Sequence, residues 1–394
     1  MLGAGHISSL PSTPTLAWEL VEKLLDQGHE IFIITTPYID LPKNSYPLER
    51  MQIFPLLPTA YSPLERAVLM IKLAPSIIRQ IRRINPDVLH TYGDITMGYF
   101  SVLLKILTNK TSITTITRNW VGGANHPALT NILSIGNWGS NNQSIFSKQK
   151  RFFLFLLDHI ICGNNYLKEQ IGGKGSDSHK ISVIPYGIKK AFLNNLNSKN
   201  IELEKNDNKI ILFWGDGSYM RGFYVFLFSI EHVLNKFPNT QFIAAIRGME
   251  EVDSINLQTA ANKIKKRLNN LKIIERTLSH SSTINMIKSS HIVVLPFIMN
   301  AMEPPLTIIE SMYLGKPVIT SNVGGNREII NNMENGILIN PDPENLTKAI
   351  MTLLLDDRKR DEIGQLAQKT IMKKYNWNKC ATKVVEIYKR IANN

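Results

Sequence analysis

Met302-Glu303-Pro304-Pro305-Leu306-Thr307-Ile308-Ile309-Glu310-Ser311-Met312-Tyr313-Leu314-Gly315-Lys316-Pro317-Val318-Ile319-Thr320 is the stretch on which the fold turns. An apolar run at 291–295 precedes it and reads as a buried strand. Pro304-Pro305 then stands where a helix begins, because proline's fixed φ suits the first turn and its missing N–H is not needed there. The apolar residues at 317–320 read as the next strand. In this order, the free N–H groups and positive end of the helix face the carboxyl edge of a parallel sheet. Anions are favoured there, and in an open α/β sheet that edge is also where ligands sit. Glu310 falls on the first two turns of the helix. Its carboxylate either accepts hydrogen bonds from a ribose diol or merely complements the helix dipole, and the pattern alone supports both.

Working outward, strand-like and helix-like segments alternate along the whole chain, which predicts an α/β fold with parallel sheets. Thr13-Pro14 caps a helix with Leu16, Ala17, Leu20, Val21, Leu24 and Leu25 at helical spacing, and Gly28 stops it. Strands are expected at 31–36, 87–90, 113–117, 159–162 and 182–185, and again at 209–214, 241–246 and 271–274. Between them, 191–207 is rich in Asn, Lys and Glu and reads as a linker. The expected domains are therefore 1–190 and 208–375, with 376–394 as a closing helix whose Ala381, Val384, Val385, Tyr388 and Ile391 share one face. A doubly wound domain opens with a buried strand, yet this chain reaches its first helix after a dozen loop-like residues, so the expectation is that either the start is late or the first strand is missing.

Composition excludes several classes. The 394 residues, 43 % hydrophobic and 20 % charged, suffice for two cores and argue against disorder. Two cysteines far apart, Cys162 and Cys380, make neither a disulfide framework nor a thiolate metal site and fit a reducing, cytoplasmic setting. No apolar run reaches the roughly 18 residues of a spanning helix. The net charge of +13 favours anionic partners, but no nucleic-acid-binding module is present. Lys72, Arg79, Arg82, Arg83, Lys105 and Lys110 predict a basic face, and Lys148, Lys150 and Arg151 precede the apolar run 152–157. Basic residues beside aromatics suit peripheral contact with an anionic membrane, although 152–157 reads first as the buried side of a helix.

Gly215-Asp216-Gly217-Ser218-Tyr219-Met220-Arg221-Gly222 is a glycine-punctuated strand-to-helix turn, a shape that brings backbone and a cation close to a diphosphate. The bland alternative is a solvated arginine before a helix. Gly324-Gly325 similarly allows close approach of a sugar, or simply connects a strand to a helix. No Asp-x-Asp pair or histidine cluster suggests a catalytic metal.

Taken together, the run 305–319, Ser321-Asn322-Val323-Gly324-Gly325-Asn326-Arg327-Glu328, Asn335-Gly336-Ile337, Pro86-Asp87-Val88-Leu89-His90, Val183-Ile184-Pro185-Tyr186-Gly187 and Tyr375-Asn376-Trp377 resemble family 4 of the glycosyltransferases. The resemblance covers nearly the whole chain. It implies a GT-B fold, two Rossmann-like domains facing across a cleft, and a retaining, metal-independent transfer of sugar from a nucleotide-sugar donor to a glycan or lipid-linked acceptor, with no cofactor. By the same resemblance Gly215, Asp216, Arg221, Arg247, Pro305, Leu306, Thr307, Glu310, Gly324 and Gly325 bind the donor. Arg221 neutralises the leaving diphosphate, Glu310 holds the ribose, and Glu303 or the Gly324-Gly325 loop orients the sugar.

Departures are equally specific. The family has seven residues between its two glutamates, whereas Glu303 and Glu310 have six between them and Met302 takes the first position. Asp216 replaces a family arginine and Arg221 a family lysine, which leaves Arg247 as the candidate to restore the lost charge. Where the first domain of the family carries a histidine, this chain has Thr117-Arg118-Asn119, so Arg118 is the candidate contact to sugar or acceptor phosphate. These departures motivate two alternatives to transfer: a catalytically impaired nucleotide-sugar-binding partner of an active transferase, and another GT-B reaction such as sugar-nucleotide epimerisation.

Overall fold

The computed structural model describes residues 2–3, 12–34, 51–54, 63–118, 154–172, 179–194, 208–246, 269–300 and 302–392. The chain forms two compact units, Met1–Gly187 with Asn376–Asn394, and Ile188–Tyr375.

Among the described residues the first unit holds seven parallel strands, β1 (Leu2–Gly3), β2 (Ile31–Ile34), β3 (Met51–Phe54), β4 (Leu89–Asp94), β5 (Ser112–Arg118), β6 (His159–Cys162) and β7 (Ile181–Val183), in the order β3-β2-β1-β4-β5-β6-β7. Its helices include α1 (Ser12–Asp26), α2 (Pro63–Ile84), α3 (Ile95–Thr108) and α4 (Asn165–Gly172). The first strand is thus present, contrary to expectation: Leu2 pairs with Ile34 on one side and with Thr91 on the other. Two residues are too few to register as an apolar run, so the strand leaves no mark in the sequence. Ile77, Ile81, Leu89, Phe100 and Leu104 form one core, and Ile116, Leu154, Leu157, Ile160 and Leu167 another. Leu154 and Leu157 are fully buried, while 148–153, with most of the basic and aromatic run, lie outside the described residues.

The second unit opens with α5 (Lys190–Asn194) and, among the described residues, carries six parallel strands: β8 (Ile210–Gly215), β9 (Gln241–Ile246), β10 (Leu271–Glu275), β11 (Ile292–Leu295), β12 (Val318–Ser321) and β13 (Ile337–Ile339). Their order is β10-β9-β8-β11-β12-β13, with helices α6 (Phe223–Leu234), α7 (His280–Ser289), α8 (Leu306–Tyr313), α9 (Pro343–Leu355) and α10 (Asp357–Lys374). Alternation along β8 shows why the sheet is covered on both sides. Ile211 and Phe213 enter a core with Phe223, Phe226 and Phe242, whereas Leu212 enters a second core with Val293, Ile308, Ile309 and Met312. A strand buried on both faces is apolar throughout, as the run Ile210-Ile211-Leu212-Phe213-Trp214 is. The unit begins earlier than the linker at 191–207 predicted, because Ile188 and Phe192 are buried in the second of these cores; 195–207 lie outside the described residues.

After Tyr375 the chain returns to the first unit as α11 (Trp377–Ala392), which packs on α1. Trp377 fills the space before Gly187, where a Cβ would stand 2.2 Å from its ring. Tyr388 Oη lies 2.5 Å from His90 Nδ1, whose other ring nitrogen is 2.6 Å from Thr115 Oγ1.

Candidate functional site

Strand order in the second sheet reverses direction between β8 and β11, so the loops leaving these strands border the crevice where ligands bind in open α/β sheets. The first is the turn from β8 to α6. Gly215 has φ +134°, Gly222 has φ +73°, and between them Tyr219–Arg221 make a single 3-10 turn. Gly222 allows no side chain, since its Cβ would lie 1.8 Å from the Pro296 carbonyl oxygen. That close approach is stitched by the Ile298 and Met299 N–H groups, which donate to the Met220 carbonyl at 2.9 and 3.2 Å. The turn therefore has a fixed place beside the loop that follows β11.

Arg221 lies in this junction. Its Nε is 3.5 Å from Asp216 Oδ2, and its guanidinium carbon stands 5.2 Å from the centre of the buried Phe297 ring. Gly222 supplies no side-chain cap to α6, which leaves the N–H groups of the first turn for another acceptor. At α8 the N-cap is Pro305, again without a side-chain cap, and Thr307 Oγ1 is buried with no hydrogen-bond partner among the described residues.

Glu303 is buried at 3 % exposure. Its carboxylate accepts from Asn300 Nδ2 at 2.9 Å and from the Gly325 N–H at 3.2 Å. Gly324, at φ +54°, passes so close that a Cβ there would meet Glu303 Oε1 at 2.1 Å. Asn300 Nδ2 also donates to Asn326 Oδ1 at 2.9 Å, and Asn326 in turn donates to the Ser321 carbonyl. These partners fix the orientation of the Asn300 amide and leave its Oδ1 buried without a partner among the described residues. Glu303 thus anchors the Gly324-Gly325 turn despite its shifted position in the chain.

Glu310, also 3 % exposed, receives the Lys189 ammonium at 3.0 Å. His280, the first residue of α7, stands near both. Burial and the Lys189 charge hold its imidazole below the ordinary histidine value, and Glu310 opposes them.

The structure therefore gathers Gly215, Asp216, Arg221, Glu303, Pro305, Leu306, Thr307, Glu310, Gly324 and Gly325 on loops and helix starts at one edge of one sheet. Arg118 belongs elsewhere, as the last residue of β5 in the first unit, and nothing of its side chain is described. Arg247, one residue past β9, lies outside the described residues. Sequence reading missed Asn300, Phe297, His280 and Lys189. Asn300 had a faint signal as a polar residue in an irregular segment after a buried strand; Lys189 had none, being far from Glu310 along the chain. Among the described residues no group of His, Cys, Asp and Glu is arranged to hold a metal ion, and no helix is long and apolar enough to cross a membrane.

Two family models match, Glycosyltransferase Family 4 over residues 14–192 and Glycosyl transferases group 1 over residues 194–370. A glycosyltransferase of Methanocaldococcus jannaschii is 23 % identical over 94 % of this chain and 92 % of its own. The Escherichia coli UDP-Gal:alpha-D-GlcNAc-diphosphoundecaprenol alpha-1,3-galactosyltransferase is 27 % identical over 58 % of this chain and 59 % of its own. Among solved structures, Anabaena HepE in complex with UDP superposes with a TM-score of 0.69 over 99 % of both chains at 13 % identity, a likeness of fold. The chain belongs to the group 1, family 4 glycosyltransferases and has their GT-B fold of two Rossmann-like domains.

Proposed function

We propose that this glycosyltransferase moves a hexosyl unit from a nucleoside-diphosphate sugar to a glycan or lipid-linked acceptor, retaining the configuration at the anomeric carbon and using no metal ion. The observation that carries the donor is the placement of Arg221 immediately before the N-terminus of α6, which has no side-chain cap, and over Phe297 of the loop after β11, at the reversal of strand order. As the anomeric C–O bond breaks, the electron pair leaves with the diphosphate. A fixed cation and oriented N–H groups stabilise that charge without reorganisation. Glu310 accepts from the ribose diol, Glu303 holds the Gly324-Gly325 turn against the sugar, and Arg118 and Arg247 are assigned to the acceptor and donor sides from sequence position. Uridine nucleotides are the first donors to test, since HepE was solved with UDP and the E. coli relative is named for UDP-Gal. Retention rests on family membership.

The acceptor side includes a basic face. Lys72, Arg79, Arg82 and Arg83 are exposed on α2, next to exposed Ile106 and Leu107 on α3, and Arg82 is tied to Leu107 by a hydrogen bond to its carbonyl. Such a face suits peripheral contact with the anionic cytoplasmic side of a membrane.

Thermal-shift measurements against UDP, GDP, ADP and their sugar conjugates test the donor site. One nucleotide family should stabilise the protein, and Glu310→Ala and Arg221→Ala should abolish the shift. A folded protein stabilised by none of them refutes the assignment. Sedimentation with anionic vesicles at low salt tests the membrane face, and failure to bind refutes it.

A further inference from the structure

We infer that Lys189 is a positioning residue for nucleotide recognition: its ammonium holds one oxygen of Glu310, so that the other is presented to the ribose. The inference rests on the ribose role proposed above. Lys189 Nζ stands 3.0 Å from Glu310 Oε1, and the two side chains are 14 % and 4 % exposed. A carboxylate this deeply buried is tolerated as an anion only when charge and hydrogen bonding compensate for lost water. Glu310 Oε1 has no aligned hydrogen bond among the described residues, so this ion pair is what compensates it. The lysine is itself held in place. It lies between Ile188 and α5, and both Ile188 and Phe192 are buried in the core that contains Ile308 and Ile309 of α8. Both partners of the pair are thus anchored by the same packing. Among the described residues, His280 of α7 is placed against the pair and feels the charge of each.

Removing the ammonium leaves Glu310 buried without its cation, and an unpaired buried carboxylate takes up a proton more readily. Once protonated it has less capacity to accept from a diol. The nucleotide affinity of a neutral variant, taken relative to the native protein, should therefore depend on pH.

The experiment is calorimetric titration of UDP, GDP and ADP into the full chain and its variants between about pH 5.5 and 8.5. The quantity read is the ratio of dissociation constants, variant over native, because division removes titration of the nucleotide's own phosphate. For Lys189→Met the ratio should exceed one and rise about ten-fold as pH falls across that range. Lys189→Arg, which keeps the charge, should stay within about three-fold of native throughout. Repeating the series with His280→Gln prevents a protonated imidazole from standing in for the missing ammonium. Lys189→Gln serves if circular dichroism shows that Lys189→Met does not fold. A ratio that does not change with pH, whatever its size, overturns the positioning role while leaving the ribose site intact, provided Glu310→Gln weakens binding. Native protein that binds none of the three nucleotides, or Glu310→Gln that binds as native does, overturns the ribose reading and the role of Lys189 with it.

Discussion

Asp216 stands where a diphosphate-binding turn would be better served by a neutral or basic residue, with its Oδ2 3.5 Å from Arg221 Nε. In the proposed donor site, a diphosphate and this carboxylate would compete for the same guanidinium. Asp216→Asn should therefore tighten UDP binding several-fold, with the gain shrinking as salt rises, in titrations at low and high ionic strength. Gly222 permits no comparable adjustment. Its φ is +73°, and any Cβ on it would stand 1.8 Å from the Pro296 carbonyl oxygen, so Gly222→Ala must displace the stitched loop after β11. The substitution should destabilise the protein by at least ~2 kcal/mol in urea unfolding and weaken nucleotide binding in parallel.

Among the elements, α8 owes its position to its sequence context: prolines at its start, every residue buried, and strands β11 and β12 on either side in the chain. This was legible because each signal is local. Strands β8, β9 and β11 were legible for the same reason, as uninterrupted apolar runs. By contrast β1 has two residues and β3 four, and neither stands out until its partners are known. The site divides likewise. Glycines and the arginine of the β8 turn could be picked out from their spacing, while Lys189 acquires meaning only when packing brings it to Glu310. At α9, Asp342 caps the helix by accepting from the Asn345 N–H at 2.8 Å. Asp342→Ala should cost about 1 kcal/mol at neutral pH in urea unfolding. That N–H holds the Asp342 carboxyl below its usual range, so the cap contributes above the unfolded carboxylate's pKa and its benefit is lost as pH falls through the folded value. The difference between native and variant should accordingly narrow in acid.

For the whole molecule, acid is a threat to both units through buried and half-buried imidazoles. Burial pushes His90 down to about 3 and His159 to about 4 in the first unit, and His291 to about 4 in the second. Between those values and the ordinary histidine pKa near 6.5, the unfolded chain binds protons that the folded chain refuses. Stability is therefore full above about pH 6.5 and declines as pH falls toward the folded values. Thermal unfolding should show a midpoint several degrees lower at mildly acidic than at neutral pH, and His90→Gln should flatten that dependence. The return of α11 has a consequence for synthesis. A nascent chain emerging from the ribosome presents everything needed for 188–375 before it has released Trp377, Ala381 and Val384, which are buried against the first unit. The first unit is consequently completed only after every residue of the second has been made, and it must wait, unfinished, until α11 has emerged.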